Sequence, residues 1–158
     1  MKENYQTPIL DVCCGGKMMY WDKEDHRVTF CDIRKEEMVI WHERTHKVEP
    51  DIQCDFTDLP FPDESYGMVV FDPPHLVGKS TGWLKLKYGH LEKDWKIMIT
   101  KGFSECFRVC KRGGYLIFKW SEHDIPLNEV LKCTRHKPIF GQRTGVKQQT
   151  IWCLFMKE

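Results

Sequence analysis

Four aspartates stand at or just beyond the ends of short apolar runs in this sequence. They are Asp11, Asp32, Asp55 and Asp72. The carboxyl ends of parallel strands meet at one edge of a sheet, and open α/β sheets bind their ligands at that edge. Four acids placed in this way favour one shared pocket that offers hydrogen-bond acceptors on several sides.

The last of these acids begins the segment Asp72-Pro73-Pro74-His75, whose residue types suit the activation of a weakly nucleophilic amine. The Asp72 carboxylate and the Pro73 carbonyl can accept the two N–H bonds of an amine that is conjugated with an aromatic ring. Two successive prolines fix the backbone and make that arrangement rigid. His75 can stack on the ring or act as a general base. The alternative is a Pro-Pro turn that only closes a strand.

The earlier acids suit a ligand that contains adenosine. Gly15, close to Cys13, lets the backbone approach a ligand. The Asp32 carboxylate can accept hydrogen bonds from ribose hydroxyls, or it can cap a following helix. Asp55 can accept from an adenine amino group while the Phe56 ring packs on the base, or the pair can belong to a turn.

The elements that must position these residues are short apolar strands and the segments between them. Seven strands are predicted: Ile9–Cys13, Val28–Cys31, Ile52–Cys54, Met68–Phe71, Tyr115–Trp120, Cys133–Phe140 and Thr150–Met156. Helices are expected at Lys17–Asp25 (short), Lys35–Trp41, Glu92–Cys110 and Asp124–Leu131. This alternation predicts an α/β fold, with a doubly wound, seven-stranded, mostly parallel sheet, helices on both faces and an antiparallel C-terminal hairpin. We expect one domain over residues 1–158.

Together these motifs resemble the class I S-adenosylmethionine-dependent methyltransferase family. The resemblance rests on residues 9–16, 30–33, 54–61 and 63–72. Asp72-Pro73-Pro74-His75 is similar to the Asp-Pro-Pro-aromatic motif of amino-methyltransferases that act on N6 of adenine or N4 of cytosine. The resemblance implies a Rossmann-like fold, S-adenosylmethionine as cofactor and catalysis by Asp72, Pro73 and His75. The implied cofactor-binding residues are Asp11, Cys13, Gly15, Lys17, Asp32, Ile33, Asp55 and Phe56, with Lys17 near the methionine carboxylate.

Charge and loop composition indicate a nucleic acid, DNA or RNA, as the acceptor. Residues 1–75 hold 8 Lys and Arg against 16 Asp and Glu, whereas residues 76–158 hold 16 against 7. This split fits a surface that binds a polyanion, although the two halves can instead attract one another. The candidate substrate-binding residues are cations and an aromatic in two loops: Lys79, Trp83, Lys85, Lys87, Arg143 and Lys147. The alternative for both loops is a solvated surface.

The remaining features narrow the class of protein. The 8 cysteines include no C-x-x-C pair, so we expect reduced thiols and no metal site. No apolar run is long enough to cross a bilayer and no signal peptide is evident, so we expect a cytoplasmic location and no membrane partner. A protein partner could supply sequence specificity. Two alternative functions stay open: methylation of a small molecule or protein, and an inactive subunit that scaffolds an active methyltransferase.

Overall fold

A central sheet of seven strands organises the computed structural model, which describes residues 7–41, 44–77, 89, 91, 93–143 and 149–158. The strands of the chain are β1 (Ile9–Asp11), β2 (Val28–Asp32), β3 (Glu36–Trp41), β4 (Arg44–Val48), β5 (Ile52–Gln53), β6 (Tyr66–Phe71), β7 (Cys110–Ser121), β8 (Phe140–Arg143) and β9 (Thr150–Met156). The central sheet has the order β5-β2-β1-β6-β7-β9-β8. Every pair in it is parallel except those that β9 makes with β7 and β8. The predicted mostly parallel sheet with an antiparallel C-terminal hairpin is confirmed.

The main helix, α1 (Trp95–Val109), covers one face of this sheet. It begins three positions later than the predicted Glu92, and its apolar stripe is buried as the spacing indicates. The Phe103 ring lies 5.4 Å from that of Phe71 and 4.9 Å from that of Phe118, measured between centroids. A short helix, α2 (Leu127–Val130), and a 3₁₀ turn (Leu131–Cys133) pack on the same side.

The predicted helix at Lys35–Trp41 is wrong, because this segment forms strand β3. β3 pairs with β4 as a separate antiparallel hairpin, with Met38 opposite His46 and Glu36 opposite Val48. A helix of two turns has little stability of its own. The hairpin instead buries alternate residues of β4, with His46 8% and Val48 1% exposed. Burial with a period of two therefore favours the strand.

Two other predicted elements are also corrected. No helix occurs at Lys17–Asp25, where the chain makes consecutive turns. The Asp22 and Asp25 carboxylates accept the backbone N–H groups of residues 24 and 27, and such local bonds compete with helix formation. The predicted strand Cys133–Phe140 begins only at its last residue, because Pro138 has no N–H to contribute to a ladder.

The two faces of the sheet are covered differently. All the helices within the described ranges lie on the face that contains Phe71 and Phe118. On the other face, β1 and β2 are covered by the turn segment after β1, where the Tyr20 ring contacts that of Phe30 edge-on at 4.8 Å. Among the residues that the structure describes, no helix has the length and apolar character needed to cross a membrane.

Candidate active site

Two adjoining cavities lie at the carboxyl edge of the sheet. The larger, about 290 Å³, is lined by Val12, Cys13, Asp32, Ile33, Arg34, Asp55, Phe56, Asp72, Pro74, Gly89 and Met98. The smaller, about 90 Å³, is lined by Cys13, Cys14, Gly15, Gly16, Met18, Met19, Arg34, His46, Asp72, Pro73, His75 and Lys119. Cys13, Arg34 and Asp72 line both cavities, so the two are neighbouring parts of one site. Three of the four predicted aspartates meet here.

Asp32 ties the end of β2 to the glycine turn after β1. Its Oδ2 accepts the N–H of Gly15 at 2.8 Å, and its Oδ1 accepts the backbone N–H of Arg34 at 2.9 Å. The Gly15 φ of +50° lies in the left-handed region, where glycine is least strained. The Arg34 side chain also donates to Oδ1, at 3.2 Å. A carboxylate offers about four lone-pair sites, so Asp32 keeps capacity for a ligand hydroxyl.

Asp55 and Phe56 follow β5 and form the far wall of the larger cavity. Asp55 Oδ1 accepts the N–H of Thr57 at 2.8 Å, which fixes the carboxylate in a turn. Asp55 therefore belongs to a turn and also lines the cavity, and its contact with an adenine stays a prediction. The Phe56 ring is 8% exposed and meets the Phe71 ring edge-on, with centroids 5.3 Å apart.

Two residues that were predicted to bind the cofactor lie outside the lining of both cavities. Asp11 is fully buried; its Oδ1 accepts the Cys13 N–H at 3.1 Å and its Oδ2 accepts the Tyr20 O–H at 2.8 Å. Burial raises the pKa of Asp11 to about 7. Lys17 is also buried, with Nζ 4.3 Å from the centroid of the Phe30 ring and 3.8 Å from Glu24 Oε1. Arg34, which lines both cavities, is therefore the cation better placed for an anionic group of a ligand.

Asp72 forms an ion pair with a residue that was not predicted from the sequence. Lys119 Nζ lies 2.6 Å from Asp72 Oδ2. The pairing register explains this contact, because Phe71 of β6 lies opposite Phe118 of β7. The residues that follow these two, Asp72 and Lys119, are therefore neighbours across the strands. Burial raises the pKa of Asp72, whereas the charge and hydrogen bond of Lys119 act in the opposite direction. Lys119 thus favours the ionised form of the Asp72 carboxylate. The sequence signal for this contact was a single charged residue within the otherwise apolar predicted strand Tyr115–Trp120.

His75 lies in the smaller cavity beside Pro73. Its ring meets that of Trp120 edge-on, at 6.3 Å between centroids. Burial, aided by the positive charge of Lys119, lowers the pKa of His75 to about 4. The imidazole is therefore uncharged at neutral pH. A general base works best with a pKa near the working pH, so this geometry favours a stacking role over a basic one.

The predicted substrate-binding residues are mostly outside the described part of the chain. Lys79, Trp83, Lys85, Lys87 and Lys147 all fall there. Arg143 is the last residue of β8, which runs parallel to β6, so its backbone reaches the same sheet edge as Asp72. Three strand spacings separate β8 from β6, a distance of about 14 Å.

His46 was not predicted as a site residue, but the hairpin β3–β4 brings it against the glycine turn, where it lines the smaller cavity. A Cβ added at Gly16 would lie 2.6 Å from His46 Cε1, so the turn and the hairpin fit only because residue 16 is a glycine. The described residues contain no group of three or more His, Cys, Asp or Glu side chains that could hold a metal ion.

The residues of the two cavities fit S-adenosylmethionine. Acceptor carboxylates on separate strands face the larger cavity, as the hydroxyl and amino groups of an adenosine require, and an aromatic ring and the exposed Ile33 side chain supply apolar walls. In this arrangement Asp32 would hold the ribose, Asp55 and Phe56 the adenine, and Arg34 the methionine carboxylate. Asp72, where the cavities join, would face the reacting methyl group.

Comparison with known proteins agrees with this geometry. A family model described as a methyltransferase domain matches residues 10–72, which contain all four aspartates. No curated protein matches the sequence. A crystal structure of a Pyrococcus horikoshii protein superposes with a TM-score of 0.62 at 14% identity, covering 95% of this chain and 81% of the other.

Two further solved structures carry methyltransferase names. One is a SAM-dependent methyltransferase from Methanosarcina mazei, with a TM-score of 0.57, 16% identity and coverage of 94% of this chain and 91% of the other. The second is 1,6-didemethyltoxoflavin-N1-methyltransferase from Burkholderia thailandensis with bound S-adenosylhomocysteine, with a TM-score of 0.53, 15% identity and coverage of 94% and 70%. The strand order and these superposed structures show that the chain has the class I methyltransferase fold, and its residues 10–72 match a methyltransferase domain.

Proposed function

We propose that this chain is an S-adenosylmethionine-dependent methyltransferase that transfers a methyl group to the exocyclic amine of a nucleic-acid base, with N6 of adenine as the first candidate. The observation that carries the proposal is the Asp72-Pro73-Pro74-His75 segment at the point where the two cavities join. Its carboxylate is paired with Lys119 at 2.6 Å and faces the cavity in which we place the reacting methyl group.

Asp72 has the acceptor capacity that an aromatic amine needs. Among the described residues only Lys119 hydrogen bonds to this carboxylate, and it does so through Oδ2. Oδ1 can therefore accept an N–H of the incoming amine, which withdraws the nitrogen lone pair from the ring and directs it outward. The Pro73 carbonyl is the second acceptor that we assign. Bound S-adenosylmethionine supplies an electrophilic methyl group on a sulfonium.

His75 supplies a flat, uncharged surface for the target base. Its pKa of about 4 keeps the ring neutral, so it does not repel the cationic sulfonium or the protonated product amine. The edge contact with Trp120 limits rotation of the ring. Positioning of this kind contributes to catalysis by holding the reactants in a reactive geometry. A base in a duplex must be flipped out to reach such a site.

A small heterocyclic amine is the second candidate acceptor. The smaller cavity measures about 90 Å³, which suits one ring, and one structural neighbour is named as a methyltransferase of the heterocycle 1,6-didemethyltoxoflavin. The same Asp72, Pro73 and His75 would serve this reaction. The two candidate acceptors differ in whether cations outside the cavity contribute to substrate binding, because only a polymer has phosphates for these cations to bind.

The test is transfer of a labelled methyl group from S-adenosylmethionine to unmethylated DNA, to total RNA and to free nucleosides. We expect label in one polymer as N6-methyladenine, falling with rising salt because the polymer contacts are ionic. Asp72→Ala should reduce transfer by about 100-fold or more, the size of effect seen when a group that stabilises the transition state is removed. Asp22→Ala, which changes an exposed aspartate in the turn segment, is the matched control.

Cofactor binding is measured in parallel by titration calorimetry with S-adenosylhomocysteine. Enzyme that binds this ligand but labels neither polymer would contradict the nucleic-acid proposal. Label in nucleosides alone would assign the site to a small heterocyclic amine.

A further inference from the structure

The face of the central sheet opposite α1 carries an exposed apolar patch. It consists of Tyr115, Ile117, Phe140, Trp152, Leu154 and Met156, here called the open face. The strand register places these side chains in adjacent rows: Ile117 lies opposite Leu154, which lies opposite Phe140, and Tyr115 lies opposite Met156. Their sheet neighbours Leu116, Phe118 and Phe155 point to the other side and are buried under α1. Both sides of these strands are therefore apolar, as in a sheet that is covered on both faces.

The area of the patch approaches the apolar area that a homodimer interface needs. Phe140 is 64%, Tyr115 41% and Met156 40% exposed. Since large side chains offer about 150–250 Å² each, these three expose roughly 300 Å². The half-buried members Ile117, Trp152 and Leu154 bring the patch to about 400 Å², within the range of patches that are often functional on monomers. A standard interface buries about 800 Å² per partner, of which roughly 500 Å² is apolar in homodimers.

The charge of the face indicates which partner it fits. Among the described residues of its rows, the charged side chain is Lys119, which lies opposite Trp152 and whose charge Asp72 compensates at 2.6 Å. The other polar member of that row, Gln142, is uncharged. A nucleic acid or an oppositely charged protein would find no net charge to pair with. Two copies of the same neutral face can meet without repulsion.

We propose that this face is the interface of a homodimer in which two sheets pack face to face about a two-fold axis. Such an interface is self-complementary, which an uncharged apolar patch rich in aromatic and methionine side chains satisfies. Two stacked sheets lie about 10 Å apart, so the side chains of both faces interdigitate as in a β-sandwich. The proposal does not depend on the identity of the methyl acceptor.

Sedimentation velocity on the full chain, over a wide concentration range, tests the interface. We expect a species of twice the chain mass of 18.9 kDa. Phe140→Glu and Tyr115→Glu should each raise the dimer dissociation constant by about 100-fold, because each change occurs twice at a two-fold interface and a central contact is worth roughly tenfold or more. Ile97→Glu is the matched control, since Ile97 is 60% exposed on α1, away from the open face. Circular dichroism and thermal unfolding verify that each variant folds.

Three results would overturn the proposal. The first is wild-type protein that stays monomeric at every concentration. The second is a dimer that persists in both folded open-face variants, and the third is a dimer that Ile97→Glu disrupts equally. Monomeric protein that binds a hydrophobic dye, and loses this binding on Phe140→Glu, would show that the face is accessible to solvent and is not a dimer interface.

Discussion

Among single residues, Asp11 shows how the site gains its shape from a group that does not line it. The carboxyl group is fully buried and bonded to the Cys13 N–H and the Tyr20 O–H. These two bonds hold the backbone at Cys13 and attach the turn segment to β1. Burial nevertheless disfavours the charged form, which is why the pKa rises to about 7 despite the two donors.

This raised pKa predicts a dependence of stability on pH that Asp11→Asn should remove. The unfolded carboxyl loses its proton near pH 3.8 and the folded one near pH 7, so the folded state holds more protons between these values. Its contribution to stability is complete below pH 3.8, is lost as the pH rises through 7, and amounts to about 4 kcal/mol. The free energy of unfolding of wild type relative to Asp11→Asn should fall by roughly that amount from pH 4 to pH 8.

Urea unfolding at a series of pH values measures this difference. Asparagine can keep both contacts, as an acceptor for Cys13 and a donor to the Tyr20 oxygen, without a charge. Asp22→Asn, in an exposed turn, is the control whose curve should run parallel to wild type. Parallel curves for Asp11→Asn would contradict the prediction.

Among the elements, α1 depends on a glycine for its close approach to the site. A Cβ added at Gly102 would lie 2.6 Å from Phe71 Cζ and 2.8 Å from Phe56 Cδ2. Both atoms belong to packed rings, so neither can move away at low cost. The helix can therefore lie against the Phe56 wall of the larger cavity only while residue 102 has no side chain.

Gly102→Ala should destabilise the protein although alanine is the better helix former. The gain in helix propensity is about 1 kcal/mol, whereas overpacking a core costs about 1–3 kcal/mol, so we expect a net loss of up to about 2 kcal/mol. Displacement of Phe56 should also weaken S-adenosylhomocysteine binding. Urea unfolding and calorimetry measure the two effects, with the exposed Lys101→Ala as control. A variant that is more stable than wild type would show that the Phe56 and Phe71 rings can move aside at low cost.

The elements also show what the sequence could predict. The parallel strands were predictable because continuous apolar runs signal burial on both faces, and the acids after them then had to converge. The hairpin β3–β4 was not predictable from the sequence, because its burial comes from pairing between residues such as Met38 and His46. The Asp72–Lys119 pair was missed for the same reason: the strand register sets it, not spacing along the chain. The cofactor role assigned to Lys17 stays a prediction that its burial beside Phe30 does not support.

The larger cavity joins parts of the chain that are otherwise separate. Its lining comes from the segments after β1, β2, β5 and β6 and from α1. A ligand that binds there contacts these elements together and binds only the folded state. It should therefore stabilise the whole protein by about 2.7 kcal/mol at 100 times its dissociation constant.

We assign part of that stabilisation to Asp55. In Asp55→Asn the side-chain oxygen can still accept the Thr57 N–H, so the turn is kept, but the new NH₂ group cannot accept from an adenine amino group. We expect S-adenosylhomocysteine affinity to fall about tenfold, which lowers the ligand-induced stabilisation by about 1.4 kcal/mol at fixed ligand concentration. Thermal unfolding with and without ligand measures this. Asp58→Asn, three residues along and exposed, should keep the full shift. An undiminished shift in Asp55→Asn would mean that the adenine is held by Phe56 and backbone groups instead.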